Sequence, residues 1–171
     1  MRRTAAHFVL VVAASLVLGG ATSLAQSVLP AALSSFANSA SGWTILCALL
    51  VFMARPRILT GAGMGIAGFV CLVLGYTLVS GLRGFAYAPA FWLFVAVVAG
   101  PVVGAAAAAL HSASRGVSIT GGMVLAAILI ADGTRGLVEL STSTSPVYWI
   151  LVIGLGLALI AWIFTRRLRV S

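Results

Sequence analysis

The chain has 171 residues, 62% of them hydrophobic and only 7% charged, with a mean hydropathy of +1.20; soluble domains use roughly 45–50% apolar and about 25% charged residues, so a soluble globular fold is excluded. All ten basic residues are arginine, two residues are acidic, and the formal charge is +8. The arginines alternate with apolar spans instead of forming a patch, which is a membrane-topology signal and speaks against a nucleic-acid partner.

A transmembrane helix needs about 20 mostly apolar residues. That template predicts an all-α polytopic membrane protein with its spans near 6–25, 36–54, 58–81, 89–110, 117–139 and 147–165, forming one integral membrane domain over residues 1–171. The first span follows a basic start and ends in small residues, so a cleaved signal is its rival. A retained helix is preferred, because the uncharged run from Phe8 to Ala25 is long for a signal core and Gly19, Gly20 and Ala21 suit close helix packing.

Between the first two spans, "QSVLPAALSSFANSASGW" is too polar for lipid and too apolar for a free loop. Residues 27–35 read as an interfacial or re-entrant segment, which must be buried in protein or line a wet cavity. The stretch also holds the chain's only Gln and only Asn, Gln26 and Asn38. Further along, "GAGMGIAG" spaces Gly61 and Gly65 by four and "GPVVG" does the same for Gly100 and Gly104, a pattern of helix interfaces. Cys47 and Cys71 lie inside apolar runs, where a thiol behaves as a small hydrophobe, so no disulfide framework is expected.

Arg2, Arg3, Arg55, Arg57, Arg115, Arg166, Arg167 and Arg169 all fall at one end of this arrangement. The positive-inside bias makes that end cytoplasmic and, with six spans, brings both termini there. The outer end holds Arg83, Asp132, Arg135 and Glu139, whose charges sum to zero, and Trp43, Trp92 and Trp149 read as interfacial aromatics near it. The third and fifth spans echo each other: "TGAGM" and "GLRG" against "TGGM" and "GTRG", with Pro89 and Trp92 against Pro146 and Trp149. The echo fits either a hairpin used twice or coincidence in a biased composition.

Both acids of the chain sit in "ADGTRGLVEL". At about 100° per residue, Asp132, Arg135 and Glu139 share one helix face, and their spacings of three and four allow ion pairing. Asp132 would lie about 12 Å below the outer helix end, a depth at which a charge needs a partner or a polar surrounding. Two readings stay open. One is a structural ion pair that specifies helix packing. The other is an outward-facing pocket in which Asp132, Arg135, Glu139 and Arg83 orient a small solute while Asn38 and Tyr76 supply neutral hydrogen bonds. Tyr87, Tyr148, Gln26 and the hydroxyls of residues 141–145 converge at the same level. Two positive and two negative groups together suit a zwitterionic or hydrogen-bonding solute.

No enzyme is expected. His7 and His111 fall at the end opposite the acids, no metal-binding motif occurs, and no cofactor is implied. "ADGTRG" resembles only the Asp-Gly start of the phosphatidyl-group transferase motif, whose further aspartates this chain lacks.

The stretches "SLAQSVLPAALSSFANSASGW", "GYTLVSGLRG" and "TSPVYW" together resemble a family of small bacterial multi-pass membrane proteins known only as a domain of unknown function. That resemblance implies a bacterial plasma-membrane location and no established activity. In architecture the chain also resembles the substrate-binding membrane subunits of energy-coupling-factor transporters. This likeness implies a solute pocket capped by the first external segment, and docking on a transporter scaffold with ATPase subunits through small residues such as Ala14, Gly20 and Ala21. Within these 171 residues no extramembrane domain is available to hydrolyse nucleotide, so active transport would call for such partners. A homo-oligomer in the lipid bilayer is the alternative assembly.

Overall fold

A computed structural model describes residues 2–168, with side chains over 4–165. Six α-helices follow one another: α1 (Arg2–Val28), α2 (Ala40–Ala54), α3 (Ile58–Leu82), α4 (Ala90–Ala109), α5 (Arg115–Glu139) and α6 (Pro146–Leu168). A 3₁₀ turn at Ser34–Asn38 precedes α2, and no strand occurs among the described residues. All helices except α2 are long and apolar enough to cross a membrane. Large apolar side chains such as Leu59, Leu82 and Phe94 cover the outside, as in a bundle solvated by lipid.

Glycine sets the helix pairing. α3 and α4 pack antiparallel with Gly61 and Gly65 against Gly104 and Gly100, so the two predicted motifs face each other. A Cβ at Gly65 would strike the Gly100 carbonyl, and one at Gly104 would strike that of Gly61. α1 runs parallel to α3 through Gly19 against Leu72 and Gly75 against Leu16, and α5 pairs antiparallel with α6 through Gly133 and Gly136 against Trp149. Without a hydrophobic drive between helices in lipid, such close approach supplies the van der Waals contact that holds them.

The expected span 36–54 is corrected. The helix begins at Ala40, and its 15 residues reach about 22 Å at 1.5 Å each, short of a hydrocarbon core of about 30 Å. Residues 29–39, which include the 3₁₀ turn and bury Ser35, Ala37 and Ser39, join α1 to α2; the expected 27–35 segment is shifted, since residues 27 and 28 close α1. Ser39 causes the shift: its hydroxyl accepts from the Gly42 N–H at 3.0 Å and starts the helix there. Gly42 is required because the Phe36 carbonyl lies where its Cβ would be.

The arginine-rich end gathers the start of α1, the α2–α3 turn, the end of α4 and the start of α5. Arg55, Arg57 and Arg115 lie there. The side chains of Arg2, Arg3, Arg166 and Arg167, and the whole of Arg169, lie outside the described residues. His7 and His111 also belong to this end, donating from Nδ1 to the Ala54 carbonyl (3.1 Å) and from Nε2 to the Phe52 carbonyl (2.9 Å). The last carbonyls of α2 are thus met by side chains from α1 and from the turn after α4.

Candidate functional site

At the opposite end, α2 starts inside the bundle, where its unpaired N–H groups have no water to meet. The Ser41 N–H donates to Asp132 Oδ2 at 2.8 Å, so a carboxylate from α5 faces the positive end of the α2 dipole. Asp132 lies seven residues before the end of α5, about 10 Å deep at 1.5 Å per residue, which is close to the length α2 lacks. The Tyr148 hydroxyl closes the network at 2.7 Å from Ser39 Oγ and 2.9 Å from Ser41 Oγ. Neither serine is among the residues expected at the site. The signal was present in "SASGW", a serine followed by a long apolar run, which is the start pattern of a helix.

Arg135 and Glu139 behave differently from Asp132. Arg135 Nε donates to Glu139 Oε2 at 2.8 Å, with both side chains more than half exposed, while Asp132 Oδ1 is 3.9 Å from Arg135 with only 9% of its side chain accessible. The expected face of three charges exists. Only its inner member is committed to another helix.

Arg83 does not join them. It caps the C-terminal end of α3, and its guanidinium reaches α1: Nη1 donates to the Ser23 carbonyl and to Ser23 Oγ (3.2 Å), and Nη2 to Ser27 Oγ (2.8 Å). It also lies 5.1 Å from the centre of the Phe85 ring. Among the described residues no ion pair links Arg83 to an acid.

Arg83, Tyr76, Gln26, Ser27, Ser80 and Tyr87 wall an open cavity of about 410 Å³. Tyr76 donates to Gln26 Oε1 at 3.0 Å, whereas the buried Tyr87 hydroxyl has no partner. Burial, and secondarily the neighbouring Tyr76, push the Tyr87 phenol up to about 12, so it stays a protonated donor at neutral pH. Gln26 also borders a second cavity of about 420 Å³, where Asn38, Ser34, Ser35 and Thr144 meet Trp149. Of the six residues singled out beforehand, Arg83 and Tyr76 therefore share one cavity and Asn38 lines the next. Asp132, Arg135 and Glu139 line neither.

The aromatic residues are corrected as well. Trp43 and Trp149 are buried in protein, at 2% and 3% exposure, and do not sit at a lipid interface. Trp92, Trp43, Tyr76 and Tyr87 form a row with neighbouring ring centres 5.3, 5.6 and 4.8 Å apart, leading to the Arg83 cavity. Among the described residues no group of three or more His, Cys, Asp or Glu side chains is placed to hold a metal.

Six helices, five of them long and apolar enough to cross a bilayer, with a polar inward turn at one end, mark an all-α multi-pass membrane protein. The chain belongs to the Family of unknown function (DUF6518), which it matches over residues 1–171. No curated protein and no solved structure matches it.

Proposed function

We propose that the protein binds a small solute in the outward-facing cavity beside Arg83 and serves, without catalysing a reaction, as the recognition subunit of a transport system in a bacterial plasma membrane. The observation that carries this reading is the cavity itself: α1, α3 and the loop after α3 bring Gln26, Tyr76, Arg83 and Tyr87 to one concave surface. A concave site with a few convergent polar groups on an aromatic wall is the usual form of a small-molecule pocket. The arginine bias puts this end outside. Residues 34, 35 and 38 of the inward-folded segment wall the neighbouring cavity, which suits the capping role implied by the likeness to energy-coupling-factor subunits. A scaffold with ATPase subunits would then supply energy, and a homo-oligomer is the other assembly the reading allows.

A second reading, an accessory protein whose charges specify helix packing, is favoured for α5 by the hydrogen bond from Ser41 to Asp132. The two readings divide by residue: Arg83, Tyr76 and Asn38 toward a solute, Asp132 toward packing, with Arg135 and Glu139 at the rim. Native mass spectrometry of the detergent-purified protein tests this division. Wild type and Asp132→Asn are expected to retain a co-purified small molecule that a folded Arg83→Gln variant loses. A bare wild-type protein, or a ligand kept by folded Arg83→Gln, would leave the accessory reading in possession.

A further inference from the structure

Resting on the solute-binding reading, we infer that the cavity beside Arg83 selects a small monoanionic carboxylic acid with a flat apolar body. The inference comes from counting hydrogens. A guanidinium carries five N–H donors, and three are taken by Ser23 and Ser27, leaving two. Tyr76 gives its proton to Gln26 Oε1, which leaves both hydrogens of the Gln26 amide free. The Tyr87 hydroxyl is buried and unpartnered. Ser27 gives its hydrogen to the Leu24 carbonyl, and Ser80 Oγ is paired with Ser23 Oγ at 3.0 Å. Beside the acceptor lone pairs of the Tyr76 and Tyr87 hydroxyls, the groups left uncommitted are two N–H donors of Arg83, the two of the Gln26 amide and the Tyr87 O–H. The cavity therefore favours a ligand that brings acceptors.

Charge narrows the class. Among the described residues, Arg83 is the only charged one in the wall. The two acids of the chain are engaged on α5, Asp132 with Ser41 and Glu139 with Arg135. The cavity thus carries a single positive charge, instead of the balanced set that the sequence places at this end. One carboxylate neutralises it and can take two parallel N–H bonds. A phosphate, at about −1.5 to −2, would leave negative charge without a partner in a poorly solvated site. Phe85 and the edge-to-face pair Tyr76 and Tyr87, 4.8 Å between centres, offer apolar surface for the rest of the molecule.

The test is calorimetric titration of the purified full-length chain with benzoate, phenylacetate and indole-3-acetate, each beside its own primary amide. Wild type is expected to bind at least one acid at least about ten-fold more tightly than its amide, the scale of a charge-assisted hydrogen bond. Arg83→Gln should erase that preference. Because Arg83 also ties α3 to α1, Tyr87→Phe serves as a second variant, removing a donor while keeping the ring, and should weaken the acid several-fold more than the amide. Equal binding of acid and amide, or an acid preference that survives in both folded variants, overturns the inference and leaves the pocket itself standing. If neither member of any pair binds the folded wild-type protein, the inference is overturned, while the solute-binding reading is decided separately by the co-purified molecule in native mass spectrometry.

Discussion

Asp132, Arg135 and Glu139 share a helix face, yet their surroundings give them unequal weight. Asp132 accepts a hydrogen bond from the first turn of α2, and its side chain is 9% accessible. Losing it strands the Ser41 N–H in a place without water, which costs about 1–3 kcal/mol. Arg135 and Glu139 meet at 2.8 Å in the open, where pairs are worth about 0–1 kcal/mol. Asp132→Ala should therefore lower the midpoint of thermal unfolding in detergent clearly, and Glu139→Ala barely. Equal losses from the two substitutions would contradict the assignment of Asp132 to the α2 N-terminus. The i,i+3 and i,i+4 spacings were legible in the sequence because helix geometry is local. That Asp132 faces α2 was not, because the start of α2 is decided by Ser39 and by what surrounds it.

Among the elements, α2 is the short helix held at both ends by others. Ser39, Asp132 and Tyr148 gather at its N-terminus, and His7 and His111 meet its final carbonyls. Its middle packs on α3, where Cys47 Sγ donates to the Gly65 carbonyl at 3.6 Å. Gly65 therefore serves two contacts, against α2 and, without a Cβ, against Gly100 and Gly104 of α4. Gly65→Val should push α3 from α4 and destabilise the protein by about 1–3 kcal/mol or more, as overpacking does. The same substitution at Gly116, where a Cβ meets nothing within 4 Å, is the control and should change unfolding little by comparison. If both variants unfold like wild type, the close α3–α4 approach is not what holds the pair. The glycine motifs were readable beforehand because four-residue spacing puts small residues on one helix face. Which helix each face meets is a property of the bundle.

For the molecule as a whole, α1, α3 and α5 run one way and α2, α4 and α6 the other, so the described ends of α1 and α6 lie together. The arginine count predicts that this end faces the cytoplasm. Single cysteines test the orientation, since Cys47 is buried and Cys71 lies partly buried within α3. In intact cells Ser143→Cys, in the α5–α6 turn, should react with a membrane-impermeant maleimide, while Ser112→Cys, after α4, should react only once the membrane is opened. The reverse pattern would invert the topology and turn the Arg83 cavity inward.

Sequence alone determined the class of protein, six helical segments, their order and alternation, the glycine-bearing faces and the spacing of the α5 charges. Each of these follows from composition or from periodicity within a few turns of chain. Tertiary structure decided that Trp43 and Trp149 are buried in protein, and that Arg83 turns to α1 while Asp132 turns to α2. The contacts responsible join Ser23 to Arg83 across 60 residues, Ser41 to Asp132 across 91, and Ser39 to Tyr148 across 109. No local pattern carries such distances: a buried polar group takes the partner that packing brings to it, and the partner is known only once the helices have met.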